Sequence, residues 1–321
     1  MVFIVVADAV FKPELFKEQL GKLGEVQVYE GVPSSMNEFL CRIDGADVAV
    51  VSHFKLPAEA FEVKNLKLVA LTRTGYDDVD LDTATRKGIA VANAPGYSNE
   101  AVAEHVFALL LSFIRRILEA DFWMREGQFD CTAFEGRELR GKTLGVIGTG
   151  RIGSRVAEIA LAFGMDVIAF DTQQTSASAG KQKFRFVSLD RLYSESDFIT
   201  VHLPLTGDTE NLIDEEAFRL MKPSVVIVNT ARGGIIDRDA LLAALEHGRI
   251  AGACLDVFDQ EPVMLDSPFL GLSNTLLTPH IAYNTLEAKE LSIAIATDNV
   301  AAFLRGKPRN IVNTEVLGLK H

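Results

Sequence analysis

Cysteine is scarce in this chain. Only Cys41, Cys131 and Cys254 occur in 321 residues. They are far apart, odd in number and without metal-type spacing. That argues against a disulfide scaffold or a metal site and points to a reducing, cytoplasmic setting. Basic residues are also short, with 32 Lys+Arg against 44 Asp+Glu and a formal charge of −12. A broad basic surface for nucleic acid or anionic membrane is therefore excluded. An anionic substrate would need a local cation. Long apolar runs are missing: the longest after the N-terminus, Val106 to Ile114, falls far short of the ~20 residues of a membrane span. The opening MVFIVVADAV has no basic region before its apolar run and reads as a strand, not a signal peptide. These features lead us to expect a soluble protein.

What is present is ordinary globular material, 48% hydrophobic and 24% charged. The length suggests about two domains. Short runs rich in Val, Ile and Leu read as buried strands at Val2–Ala7, Val26–Tyr29, Val48–Val51, Leu68–Leu71 and Ile89–Val91. Amphipathic stretches such as Pro13–Leu23 and Met36–Ile43 lie between them. Alternating strands and helices imply βαβ units and a parallel sheet. A second series has six strand candidates: Thr143–Ile147, Asp166–Phe170, Phe198–Val201, Val225–Asn229, Gly252–Asp256 and Thr275–Thr278. Helices are expected among them at Ile152–Ala162, Glu215–Leu220 and Arg238–Glu246. The pattern predicts an α/β protein with two doubly wound parallel sheets. Ser98–Ile117 reads as a connecting helix, and Asn284–Leu304 as a long helix that could return the chain to the first domain. Gln173–Gly180 reads as a polar loop.

The second series opens on Gly148-Thr149-Gly150-Arg151-Ile152-Gly153, directly after the strand LGVIG and before an apolar-periodic helix. In that context a G-x-G-x-x-G is a dinucleotide loop. The first glycine permits the turn, the second admits a pyrophosphate, and the third lets helix and strand pack closely. The helix start offers free amide donors to phosphate. Asp171 ends the next strand, where a carboxylate accepts ribose hydroxyls and repels a 2′-phosphate. Thr172, Gln173 and Gln174 follow it, and no Arg. The expected cofactor is NAD(H).

Reduction of a carbonyl by hydride needs a proton donor, which His supplies most readily. Of six histidines, His105 and His247 lie in helical stretches and His321 ends the chain. These read as structural or exposed. His202, in VHLPLT, follows a strand and is a candidate to line the cleft. His280, in LLTPHIAYN, stands at the same sheet edge after Pro279. Arg232, among small neighbours in NTARGGIID, can hold a carboxylate bidentately. Glu261, in LDVFDQEP, would fix the His280 ring and support its cation. Taken singly, each also reads as an ordinary loop residue.

Taken together, VIGTGRIG, NTARGGIID, LDVFDQEP and LTPHIA, in that order, resemble the D-2-hydroxyacid dehydrogenase family. The resemblance extends to TGYDDVDLDTATRKGIAVANAPGYS and to NVAAFLRGKPRNIVN, and so covers nearly the whole chain. It implies a Rossmann-type NAD domain, residues 99–289, inserted into a discontinuous flavodoxin-like catalytic domain, residues 1–98 and 290–321. It also implies a homodimer and a small 2-keto or 2-hydroxy acid substrate. Carried over by motif, Arg232 binds the substrate carboxylate and keto oxygen, Glu261 pairs with His280, and His280 exchanges the proton. Thr74 and Gly75 match a loop whose backbone holds the substrate carboxylate. Arg151 and Ile152 contribute to the phosphate loop, and Pro204 and Thr209 to the adenosine and pyrophosphate side. Thr230, Ala231 and Val102 lie near the nicotinamide, with Asp256 accepting from its carboxamide.

APGYSNEAVAEHVFALLL and HIAYNTLEA look most like glycerate dehydrogenases, that is, hydroxypyruvate reductases. EGRELRGKTLGVIGTGRIG and FIRRI are similar to D-lactate dehydrogenases. Hydroxypyruvate or glyoxylate is the first expectation, pyruvate the second and a bulkier 2-keto acid the third, with D-lactate dehydrogenase or 3-phosphoglycerate dehydrogenase activity as the alternative. The chain stops soon after the closing helix, without the extra domain of longer 3-phosphoglycerate dehydrogenases. Phe54 and Tyr76 read equally as pocket walls or as plain packing. A reading of another class stays open: an NAD(H)-responsive, co-repressor-like binding protein with the same fold and triad.

Overall fold

The computed structural model describes residues 1–172 and 184–318. The stretch Gln173–Gly180 and His321 lie outside the described residues. The chain divides into two compact units, Asn99–Tyr283 and a unit built from Met1–Ser98 with the stretch from Asn284 onward.

In the two-ended unit, strands β1 (Phe3–Ala9), β2 (Glu25–Glu30), β3 (Val48–Val51), β4 (Leu68–Leu71) and β5 (Ala90–Ala92) form a parallel sheet. Its order is β2-β1-β3-β4-β5. β3 and β4 are buried throughout, because helices cover both faces. Phe39 and Ile43 of α2 (Met36–Ile43) fill one face with Phe61. Phe16 and Leu20 of α1 (Pro13–Leu20) fill the other, with Ile293, Ala296 and Val300 of the closing helix (Leu286–Leu304). Pro13 starts α1, where its missing N–H costs nothing. Ser35 caps α2, Asp80 caps α3 (Leu81–Arg86) and Thr285 caps the closing helix, each accepting a backbone N–H. The junction at Tyr283/Asn284 precedes residue 290, because the whole closing helix belongs with this sheet, on which it packs through Ile293, Ala296 and Val300.

The carboxyl edge of this sheet is tied by one buried acid. Asp8, fully buried, accepts from the N–H groups of Ser52, His53 and Phe54 at 2.6, 2.7 and 2.8 Å. Burial pushes its carboxyl above the usual range, against the pull of those three bonds.

The second unit has seven parallel strands: β6 (Thr143–Ile147), β7 (Asp166–Phe170), β8 (Arg185–Phe186), β9 (Phe198–Val201), β10 (Val226–Asn229), β11 (Gly252–Leu255) and β12 (Thr275–Leu277). Their order is β12-β11-β10-β9-β6-β7-β8. The chain runs outward from β6 in one direction and then from β9 in the other. The β6/β9 boundary is thus the topological switch point where dinucleotides bind in such sheets. Helices α4 (Asn99–Ile114), α5 (Ile117–Arg125), α6 (Arg151–Ala162), α7 (Leu189–Glu195), α8 (Glu215–Leu220) and α9 (Arg238–Glu246) complete the unit.

Several elements differ from the sequence expectation. The sheet has a seventh strand, β8, whose two residues are too short to carry a periodicity. The expected helix Ser98–Ile117 stops at Ile114, and Arg116, in the left-handed region at φ 53°, turns the chain into α5. α5 buries no residue, so its apolar side chains trace no core-facing stripe. Among the described residues no helix is long and apolar enough to cross a membrane.

The last described segment is joined to β5 by a backbone bond from Val312 N–H to Val91 O at 2.8 Å and by one buried side chain. Asn313, 2% exposed, accepts from Val91 N–H at 2.8 Å and donates to Ile89 O at 2.9 Å and Thr85 Oγ1 at 3.0 Å. Asn313→Ala leaves buried backbone groups unpaired, each worth about 1–3 kcal/mol. We expect a lower urea midpoint and faster hydrogen exchange at the Val91 amide. An unchanged midpoint would show that water replaces the asparagine without loss.

Candidate active site

The glycine-rich turn between β6 and α6 needs its glycines for three different reasons. Gly148 has φ +93°, and a Cβ there would lie 2.8 Å from the backbone of His202 and Leu203. Gly153 is closer still, since its Cβ would sit 1.9 Å from Gly148 O. Gly150 faces open space, with nothing within 4 Å of a Cβ. It is the N-cap of α6 and supplies no side-chain cap, so the first-turn amides from Arg151, Ile152 and Gly153 stay available. Asp171, just past β7, accepts from Thr149 N–H at 2.6 Å and Thr149 Oγ1 at 2.7 Å. The ribose-type acid is thereby pinned to the phosphate-type loop. Thr230 Oγ1, past β10, is buried without a hydrogen-bond partner, which leaves a polar atom for a ligand to satisfy. This donor set fits a dinucleotide.

Pro204 is exposed on the loop after β9, whereas Thr209 is turned inward. Its hydroxyl donates to Pro204 O at 2.6 Å and accepts from Thr206 N–H at 2.8 Å, so it holds that loop's shape. His202 does not line an acid–base site. Its ring meets Thr200 Oγ1 at 2.8 Å, and burial pushes its pKa down to about 3.

Arg232, Glu261 and His280 follow β10, β11 and β12, three neighbouring strands. Asn229 shapes the first loop by accepting from Ala231 N–H and donating to Arg232 O. Gly233 allows that loop to touch the next one, since a Cβ there would lie 2.0 Å from Phe258 C. Glu261 Oε1 accepts from Phe258 N–H at 3.0 Å, and Oε2 accepts from His280 Nδ1 at 2.7 Å. Burial works to raise the Glu261 carboxyl. The bonds from His280 and Phe258, with the charges of His280 and Arg232, outweigh it and hold the group below its ordinary range. The His280 ring is partly exposed and packs edge-on against Tyr283, with centroids 5.9 Å apart. With Nδ1 engaged by a carboxylate, Nε2 is the nitrogen left for proton exchange.

Asp256 is fully buried. It accepts from Thr278 Oγ1 at 2.5 Å and from Ile281 and Ala282 N–H at 2.9 Å each. It therefore offers no exposed surface, and its oxygens clamp the loop that carries His280. His105, read from sequence as structural or exposed, joins this cluster: its Nε2 lies 3.2 Å from Thr278 Oγ1. His105, Thr278 and Tyr283 stand inside APGYSNEAVAEHVFALLL and LLTPHIAYN, but nothing in those motifs marks them as partners of Asp256 and His280. Val102, three residues before His105, is buried on α4.

Thr74 and Gly75 belong to the other unit, on the loop after β4. Thr74 Oγ1 donates to Ala94 O at 2.9 Å, and Gly75 O accepts from Arg73. Phe54 stacks on Phe39 at 4.6 Å and so belongs to core packing, whereas Tyr76 is 39% exposed.

A family model described as D-isomer specific 2-hydroxyacid dehydrogenase, NAD binding domain, matches residues 107–282. A glyoxylate reductase of Korarchaeum cryptofilum is 40% identical over 90% of this chain and 89% of its own length. A hydroxypyruvate reductase of Blautia hydrogenotrophica is 38% identical over 92% of this chain and 94% of its own. An acyclic imino acid reductase solved with NADPH and D-Arg superposes with a TM-score of 0.88 at 35% identity, covering 97% of this chain and all of its own. The glycine turn, the acid pinned to it and the loops of three adjacent strands thus sit in a chain matched along most of its length. This protein belongs to the D-2-hydroxyacid dehydrogenases and uses NAD to act on the CH–OH group of 2-hydroxy acids.

Proposed function

We propose that this dehydrogenase reduces a small 2-keto acid, glyoxylate or hydroxypyruvate, with Arg232, Glu261 and His280 as its catalytic residues. The observation that carries this reading is the 2.7 Å bond from His280 Nδ1 to a Glu261 carboxylate that stays ionised. Bound NADH supplies the hydride. Arg232 holds the substrate carboxylate and the keto oxygen, and stabilises negative charge as it develops, a contribution of several kcal/mol in comparable sites. His280 Nε2 delivers a proton to that oxygen, and takes it back in the oxidation direction. Glu261 keeps the ring oriented and supports its cation. Thr74 and Gly75 contribute substrate contacts through their exposed loop. Gly148, Gly150, Arg151, Ile152 and Gly153 hold the pyrophosphate, Asp171 the ribose, and Pro204 and Thr209 shape the adenosine side. Val102, Thr230 and Ala231 face the nicotinamide, and Asp256 acts there through the loop it clamps. Relatives named glyoxylate reductase and hydroxypyruvate reductase, matched over about nine-tenths of both chains, support these two substrates; D-3-phosphoglycerate dehydrogenases of similar identity are matched over only 55% and 60% of their own length.

We also assign a homodimer. Ile117, Leu118, Phe122 and Met124 of α5 are exposed, and Phe129 beyond it is 91% exposed. So dense an apolar surface calls for a covering partner, and a second copy is the one the family resemblance implies. Sedimentation equilibrium should read a dimer of the 35.1 kDa chain; a single monomeric species would overturn this. The three cysteines, none in a disulfide, accord with a cytoplasmic setting. A disulfide found in the native protein would contradict it.

NADH absorbance, followed against glyoxylate, hydroxypyruvate, pyruvate, phenylpyruvate and 3-phosphohydroxypyruvate, tests the substrate. Highest kcat/KM on one of the first two is expected, and preference for a bulky or phosphorylated acid would displace the assignment. His280→Ala should keep NADH binding and lose roughly 10²–10⁴-fold in turnover. Near-normal turnover would remove His280 as the acid. Asp171→Ala should narrow the preference for NADH over NADPH; an unchanged ratio would show that another group reads the ribose.

A further inference from the structure

His280 holds its backbone in the left-handed region at φ +53°. For a residue with a Cβ this conformation is strained and persists only where surroundings over-determine it. The surroundings converge on Asp256. Its backbone oxygen accepts from His280 N–H at 2.8 Å, while its carboxylate accepts from Ile281 and Ala282 N–H on the far side of His280. Thr278, on the near side, donates its hydroxyl to Asp256 Oδ1 at 2.5 Å.

A hydroxyl has one proton, and the carboxylate claims that of Thr278. Thr278 Oγ1 can therefore only accept from His105 Nε2 at 3.2 Å, so that nitrogen carries hydrogen. The same Nε2 lies 3.5 Å from Asp256 Oδ1. His105 thus steadies the buried acid from helix α4, a continuous and well-buried element.

We propose that His105 is a positioning residue for His280, acting through Thr278 and Asp256. It does not touch substrate. Its hydrogen bond fixes the Thr278 hydroxyl, the hydroxyl fixes the Asp256 carboxylate, and the carboxylate holds the strained loop that aims the imidazole. This rests on the reading of His280 as the proton donor.

The test uses the full-length protein with two variants of His105 and one of Thr278. His105→Leu removes the donor, His105→Gln restores one, and Thr278→Val removes the relay. Turnover, NADH affinity and the His280 Cε1–H cross-peak, assigned by its absence in His280→Asn, are measured together. His105→Leu should lower kcat about 10–100-fold, the scale of a misplaced catalytic group, with NADH Kd unchanged and the cross-peak displaced. His105→Gln should return most of both. Thr278→Val should repeat the Leu result, and the double variant should be no worse than either single one, as expected of one chain of contacts. The proposal is overturned by a cross-peak and kcat left at wild-type values in His105→Leu, or in Thr278→Val if His105→Leu does not fold. It is equally overturned if His105→Gln loses as much as His105→Leu and NADH binding weakens with it. If the wild-type protein reduces no 2-keto acid, the functional reading fails while the cross-peak still decides the positioning role.

Discussion

The buried carboxylate of Asp256 is the knot on which the acid–base geometry depends. It receives hydrogen bonds from both sides of His280 and so holds a backbone conformation that a histidine would otherwise avoid. Glu261 fixes the other end of the same residue by taking Nδ1, and is itself fixed by Phe258 N–H. Ring and backbone are therefore constrained independently. A side chain held this way has little orientation left to lose when a ligand arrives, which is the entropic advantage of a preorganised site.

Which loops can meet is decided by strand adjacency. A parallel sheet delivers every loop at the carboxyl ends of its strands to one edge, and neighbouring strands deliver neighbouring loops. Gly148 rests on the His202–Leu203 backbone because β6 and β9 are neighbours, and Gly233 rests on Phe258–Asp259 because β10 and β11 are. In both places a side chain would force the loops apart. At Gly233 glycine is needed for approach alone, and at Gly148 for approach and for a φ of +93°. The Arg232 loop can reach the Glu261 loop only because Gly233 has no Cβ.

The alternation of short Val/Ile/Leu runs with amphipathic stretches was enough to read both parallel sheets, since strands covered on both faces are apolar throughout. The glycine turn was equally legible, because its context of strand and helix is local. The features that escaped are those whose signal is not local. β8 has two residues and no period. α5 is a helix whose apolar residues face outward, so nothing in its pattern marks a core-facing side. Arg116 breaks the expected helix through a left-handed turn that an Arg does not advertise. His105 looked like a core histidine because the partner that gives it a role, Thr278, is 173 residues away. His202 shows the opposite case: its place after a strand suggested a cleft, but its ring meets Thr200 Oγ1 and is kept neutral by burial.

An acidic protein that handles a carboxylate must solve an electrostatic problem locally. The chain carries a formal charge of −12, yet exposed charges are screened beyond about 8 Å at physiological salt. What counts is the balance within that radius. Glu261 is ionised and would by itself repel a 2-keto acid. The charges of His280 and Arg232 both act on its carboxylate and help to hold it below its ordinary range. The Arg232 charge thus stands near the negative charge that engages the imidazole and offsets it. A guanidinium at the position after β10 also offers a carboxylate a planar, bidentate fork that a lysine lacks.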